Sequence, residues 1–346
     1  MLTALTRFIA VLSLLVIVAT AWAALPMKWT LGGYVQARYT EDLGETLVPL
    51  VTDTPGTFRA MRPAVLIRAT DEEHVFLQFF FSNVPGGSDL EVQHAFAEYQ
   101  AAPYYGRLGL SPIPFGYENP ITSAALITTE RSMASAVLIG RQALDRGVYF
   151  FYQPSGVFIA KPTPGQPGSF NAEIGLVNGE NYNDPSDSNN AKNFVGRLGV
   201  YIPNGEIGAS VIKGKGTGAS PVDKDRLGLD VQWRTGPFTL LAEYLAGEGA
   251  VLAAGDDVEA SGGYLTVAYR PADAEGKPVS YQVYLRGDVF DRNKDTTDDY
   301  FSRGTIGVAY YLNPLSKLQA EYESIDDSLN TELDGRFTLQ YQIIFL

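Results

Sequence analysis

The feature that most limits this chain is a period of two in hydrophobicity, which returns segment after segment to the C-terminus. Phe337, Leu339, Tyr341, Ile343 and Phe345 alternate with Thr338, Gln340 and Gln342. Leu227, Leu229, Val231 and Trp233 alternate with Arg226, Asp230 and Gln232. Tyr281, Val283, Leu285 and Val289 alternate with Gln282, Tyr284, Arg286 and Asp288, and near the start Leu31, Val35, Ala37 and Tyr39 oppose Tyr34, Gln36 and Arg38. An extended chain sends successive side chains to opposite faces, so each segment carries one apolar face and one polar face. Helical spacing would group apolar residues three and four apart instead. The chain reads as all-β.

Link lengths decide how such strands are arranged. Short turns are expected at Asp71-Glu72, Ala101-Pro103, Pro203-Asn204-Gly205, Thr235-Gly236-Pro237 and Asn313-Pro314. Long polar links fall between them at 41–56, 113–143, 179–192, 214–224, 249–258, 291–300 and 326–334. Short and long links alternate in most places, as in outer-membrane barrels with periplasmic turns and external loops. Strand starts are placed near residues 28, 57, 73, 90, 104, 144, 169, 193, 204, 224, 237, 259, 279, 301, 314 and 335, which makes about sixteen. The expected fold is a transmembrane antiparallel β-barrel whose apolar face meets lipid and whose polar face lines a wet lumen.

The N-terminus agrees with an exported chain. Arg7 precedes an apolar run from Phe8 to Thr20, and Ala21-Trp22-Ala23 has the small-x-small form cut by signal peptidase. Residues 1–23 are therefore expected to be a cleaved signal peptide and 24–346 a single barrel domain in the outer membrane. No later segment reaches the about eighteen consecutive apolar residues of a membrane-spanning helix. There is no Cys, so stability would come from hydrogen bonding and packing, and closing the barrel pairs every strand edge. The 20 Tyr, 18 Phe and 3 Trp would supply aromatic girdles at two membrane interfaces. A net charge of −13 disfavours nucleic acid as a partner; membrane lipid is the partner expected.

The residues from Arg107 to Val148 carry a resemblance. Arg107-Leu-Gly-Leu-Ser-Pro-Ile-Pro-Phe-Gly-Tyr-Glu-Asn119 is followed by Thr129-Glu130-Arg131-Ser132, then Gly140-Arg141 and Asp145-Arg146-Gly147-Val148. Ala95-Phe96-Ala97-Glu98-Tyr99 lies upstream; Leu176-Val177-Asn178-Gly179-Glu180-Asn181 and Lys192-Asn193-Phe194-Val195-Gly196-Arg197-Leu198 lie downstream. In this order the segments resemble the phosphate-selective porin O/P family, over roughly Arg59 to Val200, with the rest of the chain agreeing in style only. The resemblance implies a sixteen-stranded barrel, commonly a homotrimer, with a long loop folded inward to narrow the pore. Here that loop would span 113–143. A link this long without strand pattern is usually functional or disordered. Ala124, Leu126, Ile127, Met133, Val137, Leu138 and Ile139 are too apolar for a free external loop, so it should pack against something. One departure stands at Ser111-Pro112-Ile113, where the family usually carries a cation before its Pro-Phe-Gly turn.

Passive diffusion of small hydrophilic solutes, with preference for anions such as phosphate or similar oxyanions, is the function this implies. A pore selects by the charges lining it. Strand parity sends Arg38, Arg197, Arg226, Arg234, Arg270, Arg286, Arg303, Arg336 and Lys317 inward, against Glu98, Asp230, Glu243, Asp288, Glu321 and Glu323. The remaining acids, among them Asp184, Asp187, Asp256, Asp257, Asp298, Asp299, Asp326, Asp327 and Asp334, fall on the links. Arg131 and Arg141, placed by the family motif in the loop, and Arg107 and Arg146 on the adjoining strands, are the constriction candidates. Inward Arg and Glu on neighbouring strands equally fit plain cross-strand pairing. Three other readings compete: a cation-preferring or non-selective porin, a sealed structural barrel, and an outer-membrane enzyme. Only His74 and His94 are available as a base, and neither has a nucleophile at recognisable spacing. No metal cluster, phosphate loop or nucleophile elbow is present in the sequence, so no cofactor, metal or covalent chemistry is expected.

Overall fold

The computed structural model describes residues 28–44, 57–70, 75–83, 90–139, 144–154, 167–179, 190–216, 223–248, 258–297, 299–328 and 333–345. The expected signal peptide, the Asp71-Glu72 turn, His74, Arg141 and the link acids Asp184, Asp187, Asp256, Asp257 and Asp298 lie outside these residues. Sixteen strands follow one another: β1 (Lys28–Gly44), β2 (Thr57–Thr70), β3 (Val75–Asn83), β4 (Leu90–Ala101), β5 (Tyr104–Pro112), β6 (Leu144–Tyr152), β7 (Phe170–Val177) and β8 (Asn193–Ile202). They continue as β9 (Gly205–Lys213), β10 (Arg226–Thr235), β11 (Phe238–Gly247), β12 (Ala260–Tyr269), β13 (Tyr281–Asp291), β14 (Tyr300–Asn313), β15 (Ser316–Asp327) and β16 (Leu333–Phe345). Each start lies within two residues of its sequence expectation. The main boundary difference is at β1, which runs on to Gly44 through residues expected to belong to a link that begins at 41.

Every strand pairs antiparallel with its neighbours in sequence, and β1 pairs with β16, so the sheet closes on itself. Closure is what lets such a sheet sit in lipid, because no backbone N–H or C=O is left at an open edge. Arg38 opposite Gln340 and Gln36 opposite Gln342 fix the closing register, and a slip of one residue would turn the apolar face of β16 inward. The Pro203-Asn204-Gly205 turn works because Asn204 takes φ +64°, a left-handed conformation that Asn tolerates.

The two faces follow the sequence pattern. Outward Leu285 and Val289 are each 59% exposed, and inward Tyr284 between two such residues is 2% exposed. In water so large an apolar surface would be a liability; in a membrane it is the lipid face. Outward rings gather near the short turns, where Tyr104, Tyr152 and Phe170 pack in a row at centroid spacings of 5.4 and 5.0 Å. Phe238 and Tyr269 stand 5.1 Å apart at the same rim. These are the residues an interfacial girdle needs.

Candidate functional site

The β5–β6 link does not leave the barrel. From Ile113 to Ile139 it lies inside the lumen, with a 3₁₀ turn at Ser123–Ala125 and a single π-helical turn at Ser135–Ile139. Its entry is the Pro114-Phe115-Gly116 turn. Gly116 has φ +70° and a Cβ there would run into the Glu243 carboxylate, so both the conformation and the close approach require glycine. The Gly116 amide donates to Ser210 Oγ at 3.0 Å and the Tyr117 amide to Glu243 Oε1 at 2.8 Å. Phe115, fully buried, packs with Met133, Leu138 and Ile139 of the loop against inward Ile212, Leu245, Phe290 and Phe301 of the wall. Of the apolar residues that made a free external loop implausible, Met133, Val137, Leu138 and Ile139 join this apolar layer, while Ala124 and Ile127 pack against two smaller clusters.

Polar groups of the wall hold the rest of the loop. Thr129 donates its amide to Glu321 Oε1 at 2.7 Å and its hydroxyl to the other oxygen of the same carboxylate. Glu118 forms an ion pair with Arg286 at 2.8 Å and accepts the Ser132 amide at 2.8 Å. The Met133 amide donates to Asp288 Oδ2 at 3.1 Å. Loop carbonyls are taken by wall donors: Leu126 by Lys317 at 3.2 Å, Ile127 by Gln319 at 2.7 Å, Ala124 by Gln342 at 3.0 Å and Arg131 by Arg303 at 2.8 Å. Arg38 binds the Thr129 carbonyl at 2.9 Å and pairs with Glu130. Such a network favours one geometry, because each of these bonds, if unmade, would strand a buried group; Glu243 Oε2, Asp288 Oδ1 and Gln319 Oε1 are buried without a hydrogen-bond partner.

The predicted arginines are distributed as follows. Arg38, Arg197, Arg226, Arg286, Arg303 and Arg336 are inward and buried. Arg197 lies between Glu206 at 2.7 Å and Asp230 at 2.6 Å, Arg303 between Asp288 at 2.7 Å and Glu323 at 2.9 Å, and Arg336 against Asp42 at 2.5 Å. Arg226 donates to the loop carbonyl of Leu138 and to Glu248 O. Arg107 is half-buried, paired with Glu98 and seated over the Phe96 and Phe151 rings at 4.1 and 4.6 Å. Arg131 donates to the carbonyls of Glu118 and Ile121 within the loop. Arg234 and Arg270 stand at the short-turn rim; Arg270 lies 3.8 Å over the Tyr311 ring. Arg146 differs from expectation. It shares its side of β6 with outward Val148 and Phe150, so parity turns it away from the lumen.

Sequence parity had counted nine inward cations against six acids. The structure adds inward acids that this count left out: Glu173 and Glu206 on the wall and Glu118 and Glu130 on the loop. Glu173 and Glu206 follow the same alternation as their strands and could have been read from it. Glu118 and Glu130 sit in a segment without period, where only the three-dimensional path assigns a direction. Among the described residues no group of His, Cys, Asp and Glu is arranged to hold a metal ion.

Comparison with known proteins bears on this geometry. Residues 175–336 match the model of the family described as phosphate-selective porin O and P. Over that segment, just under half of the chain, the sequence is similar to the phosphate-selective porin family. With the closed sixteen-stranded barrel, it makes the chain an outer-membrane porin. The matched residues lie largely beyond the Arg59–Val200 stretch that carries the quoted motifs, so the half that agreed only in style is the half that matches. No curated protein matches the chain in sequence. Solved structures match it in fold: an anion-selective porin from Comamonas acidovorans, at 13% identity and TM-score 0.63, covering 92% of this chain and 99% of that one. The in-vitro folded trimer form of OmpT of Vibrio cholerae matches at 12% identity and TM-score 0.62, over 92% and 99% of the two chains. The outer-membrane channel DcaP of Acinetobacter baumannii matches at 13% identity and TM-score 0.61, over 92% and 97%.

Proposed function

We propose that this porin passes small hydrophilic solutes by diffusion, with preference for anions such as phosphate or similar oxyanions, and that the 113–143 loop is its constriction. One observation carries the anion preference. On β10 to β16 the cations nearest the short-turn mouth are Arg234, Arg270 and Lys317, at or just beyond the ends of their strands among neutral Gln282, Tyr311, Gln319 and Gln342, while Arg226, Arg286, Arg303 and Arg336 lie deeper. The described inward carboxylates of the same strands, Asp230, Glu243, Asp288, Glu321, Glu323 and Asp327, lie deeper. The extended β12–β13 turn carries Asp273 and Glu275 beside Lys277, outside this lining. Along this arc of the mouth a solute meets positive charge first, which concentrates anions there; on β4 to β9 Glu98, Glu173 and Glu206 stand near the same rim, Glu98 and Glu206 paired with Arg107 and Arg197. The anion selectivity of the Comamonas structural neighbour points the same way.

The mechanism is electrostatic and reversible. Guanidinium groups stabilise a partly dehydrated oxyanion through paired hydrogen bonds, weakly enough for it to leave again. Phosphate specificity has less support than anion preference, because Ser111-Pro112-Ile113 supplies no cation at the start of the loop. A signal peptide over residues 1–23, an orientation with short turns on the periplasmic side, and a homotrimeric assembly complete the reading; a trimer form is among the structural neighbours.

The second reading is a sealed structural barrel, favoured by the apolar layer that the loop makes with the wall. It predicts no current at all. The test of the first reading is the reversal potential of purified protein in a planar bilayer under a salt gradient. An anion-biased reversal potential supports it; a cation bias leaves a porin and removes the preference.

A further inference from the structure

The outer surface of the barrel is divided by charge where the strands meet the long links. On β6, β7 and β8 the apolar belt ends at outward Val148, Leu176 and Phe194, which are 42%, 55% and 44% exposed. Cations come next. Arg146 stands two residues beyond Val148 on the same side of β6, and exposed Lys192 two residues beyond Phe194. The Asn178 amide donates to the Arg146 carbonyl at 3.0 Å and Val177 pairs with Asn193, so Asn178 carries the row from Arg146 across to Lys192. Lys213 pairs with Phe194 at the end of β9, and Lys215 follows on the same side, bridged to Asp223.

Farther round the same rim the outward groups are acids. By parity they are Glu248 past β11, Glu259 before β12, Asp291 ending β13, Asp326 on β15 and Glu41 on β1. Lys294, the outward cation there among the described residues, pairs with Glu259 at 2.5 Å. On the β6–β10 arc the balance is reversed. Arg146, Lys192, Lys213 and Lys215 face Asp225, 2.6 Å from Lys213, and Asp223 beside Lys215. In a chain of net charge −13 such a patch runs against the composition.

Its place limits what it can hold. The cations lie within two residues of the lipid face and on the side of the wall away from the lumen, so a solute in transit does not reach them. Lys and Arg stems lie along apolar surface and present their charged heads at the interface. Clusters of such heads attract anionic lipid headgroups, and a guanidinium can grip a phosphate through two hydrogen bonds. The two exposed ion pairs contribute little, so a phosphate can replace either carboxylate. We infer that this arc binds the phosphate groups of an outer-leaflet glycolipid of the lipid A type, whose acyl chains lie on Val148, Leu176 and Phe194. The site rests on the orientation given above, with the long links outside.

The purified barrel is reconstituted in phosphatidylcholine vesicles containing either bis-phosphorylated or dephosphorylated lipid A. It is then re-extracted in mild detergent, and the lipid retained per barrel is read by native mass spectrometry. The parent should retain the phosphorylated lipid and not the other. Arg146→Gln, Lys192→Gln and Lys213→Gln together should lower retention by about tenfold or more, and high salt should lower it too. Lys294→Gln, on the acidic arc, should leave it unchanged. Equal retention by parent and triple variant, equal retention of the two lipids, or an equal loss with Lys294→Gln overturns the site. Should the triple variant fail to fold, Lys192→Gln with Lys213→Gln, both at exposed positions, takes its place. Orientation is read separately. The chain has no Cys, so Asp223→Cys on intact cells reports, through a membrane-impermeant maleimide, whether the long links face outside. Labelling only after lysis would overturn the orientation and the site with it; labelling of intact cells with unchanged lipid retention in the triple variant would overturn the site alone.

Discussion

Arg286 on β13 grips Glu118 of the inward loop through both terminal nitrogens, at 2.8 and 3.2 Å, and both side chains are buried. The pair spans the lumen from wall to loop. Removing one partner strands a buried charge, which costs about 3–5 kcal/mol, more than an exposed ion pair would contribute. Glu118→Ala should therefore lower the denaturant midpoint of the detergent-folded barrel and add open-channel noise. Equal midpoints for variant and parent would mean that the loop is not anchored there.

A smaller effect is expected at Thr129. Its hydroxyl and amide both donate to the Glu321 carboxylate, so Thr129→Val keeps the shape and removes one donor. The loss should be about 1–3 kcal/mol, the cost of leaving a buried polar group short of a partner. Thermal melting followed by gel mobility reads it, and a melting temperature above that of the parent would speak against the clamp.

The lipid face makes its own demand. Leu285 is outward, 59% exposed, and near the middle of β13. Leu285→Arg places a charge toward the bilayer centre and should destabilise folding into vesicles by about 2–4 kcal/mol. A change near zero would place β13 out of the membrane or invert its register.

Most of this architecture was legible from alternation and link length alone. Strands such as β10 and β13 carry strict period-two patterns, and the lipid face demands that pattern more stringently than a soluble sheet does. The loop was legible only as a segment too apolar to hang free. Its path depends on contacts between residues far apart in sequence, Thr129 with Glu321 or Gly116 with Ser210, which leave no local trace. The same holds for the charges. Parity placed Arg197 and Asp230 inward, but it could not show that Arg197 is already neutralised by Glu206 and Asp230. Arg146 was named for its place on the strand adjoining the loop; the alternation of Val148 and Phe150 puts it on the outward face.

Selectivity should follow the short-turn mouth. Arg234→Glu and Arg270→Glu together reverse the charge there and should move the reversal potential toward cations. Lys213→Glu is the control, since Lys213 lies at the opposite end of its strand on the outward side, paired with Asp225 at 2.6 Å. A shift in the control as large as in the double variant would contradict the assignment.

The central claim is that a loop-narrowed barrel still conducts, and that anions are favoured. Purified protein in a planar bilayer, with current recorded under a salt gradient before and after addition of inorganic phosphate, tests it directly. Discrete, steady current steps with an anion-biased reversal potential are the predicted result, and reduction of the current by phosphate would extend the claim to that oxyanion. A bilayer that stays silent after verified insertion of the folded barrel would contradict it.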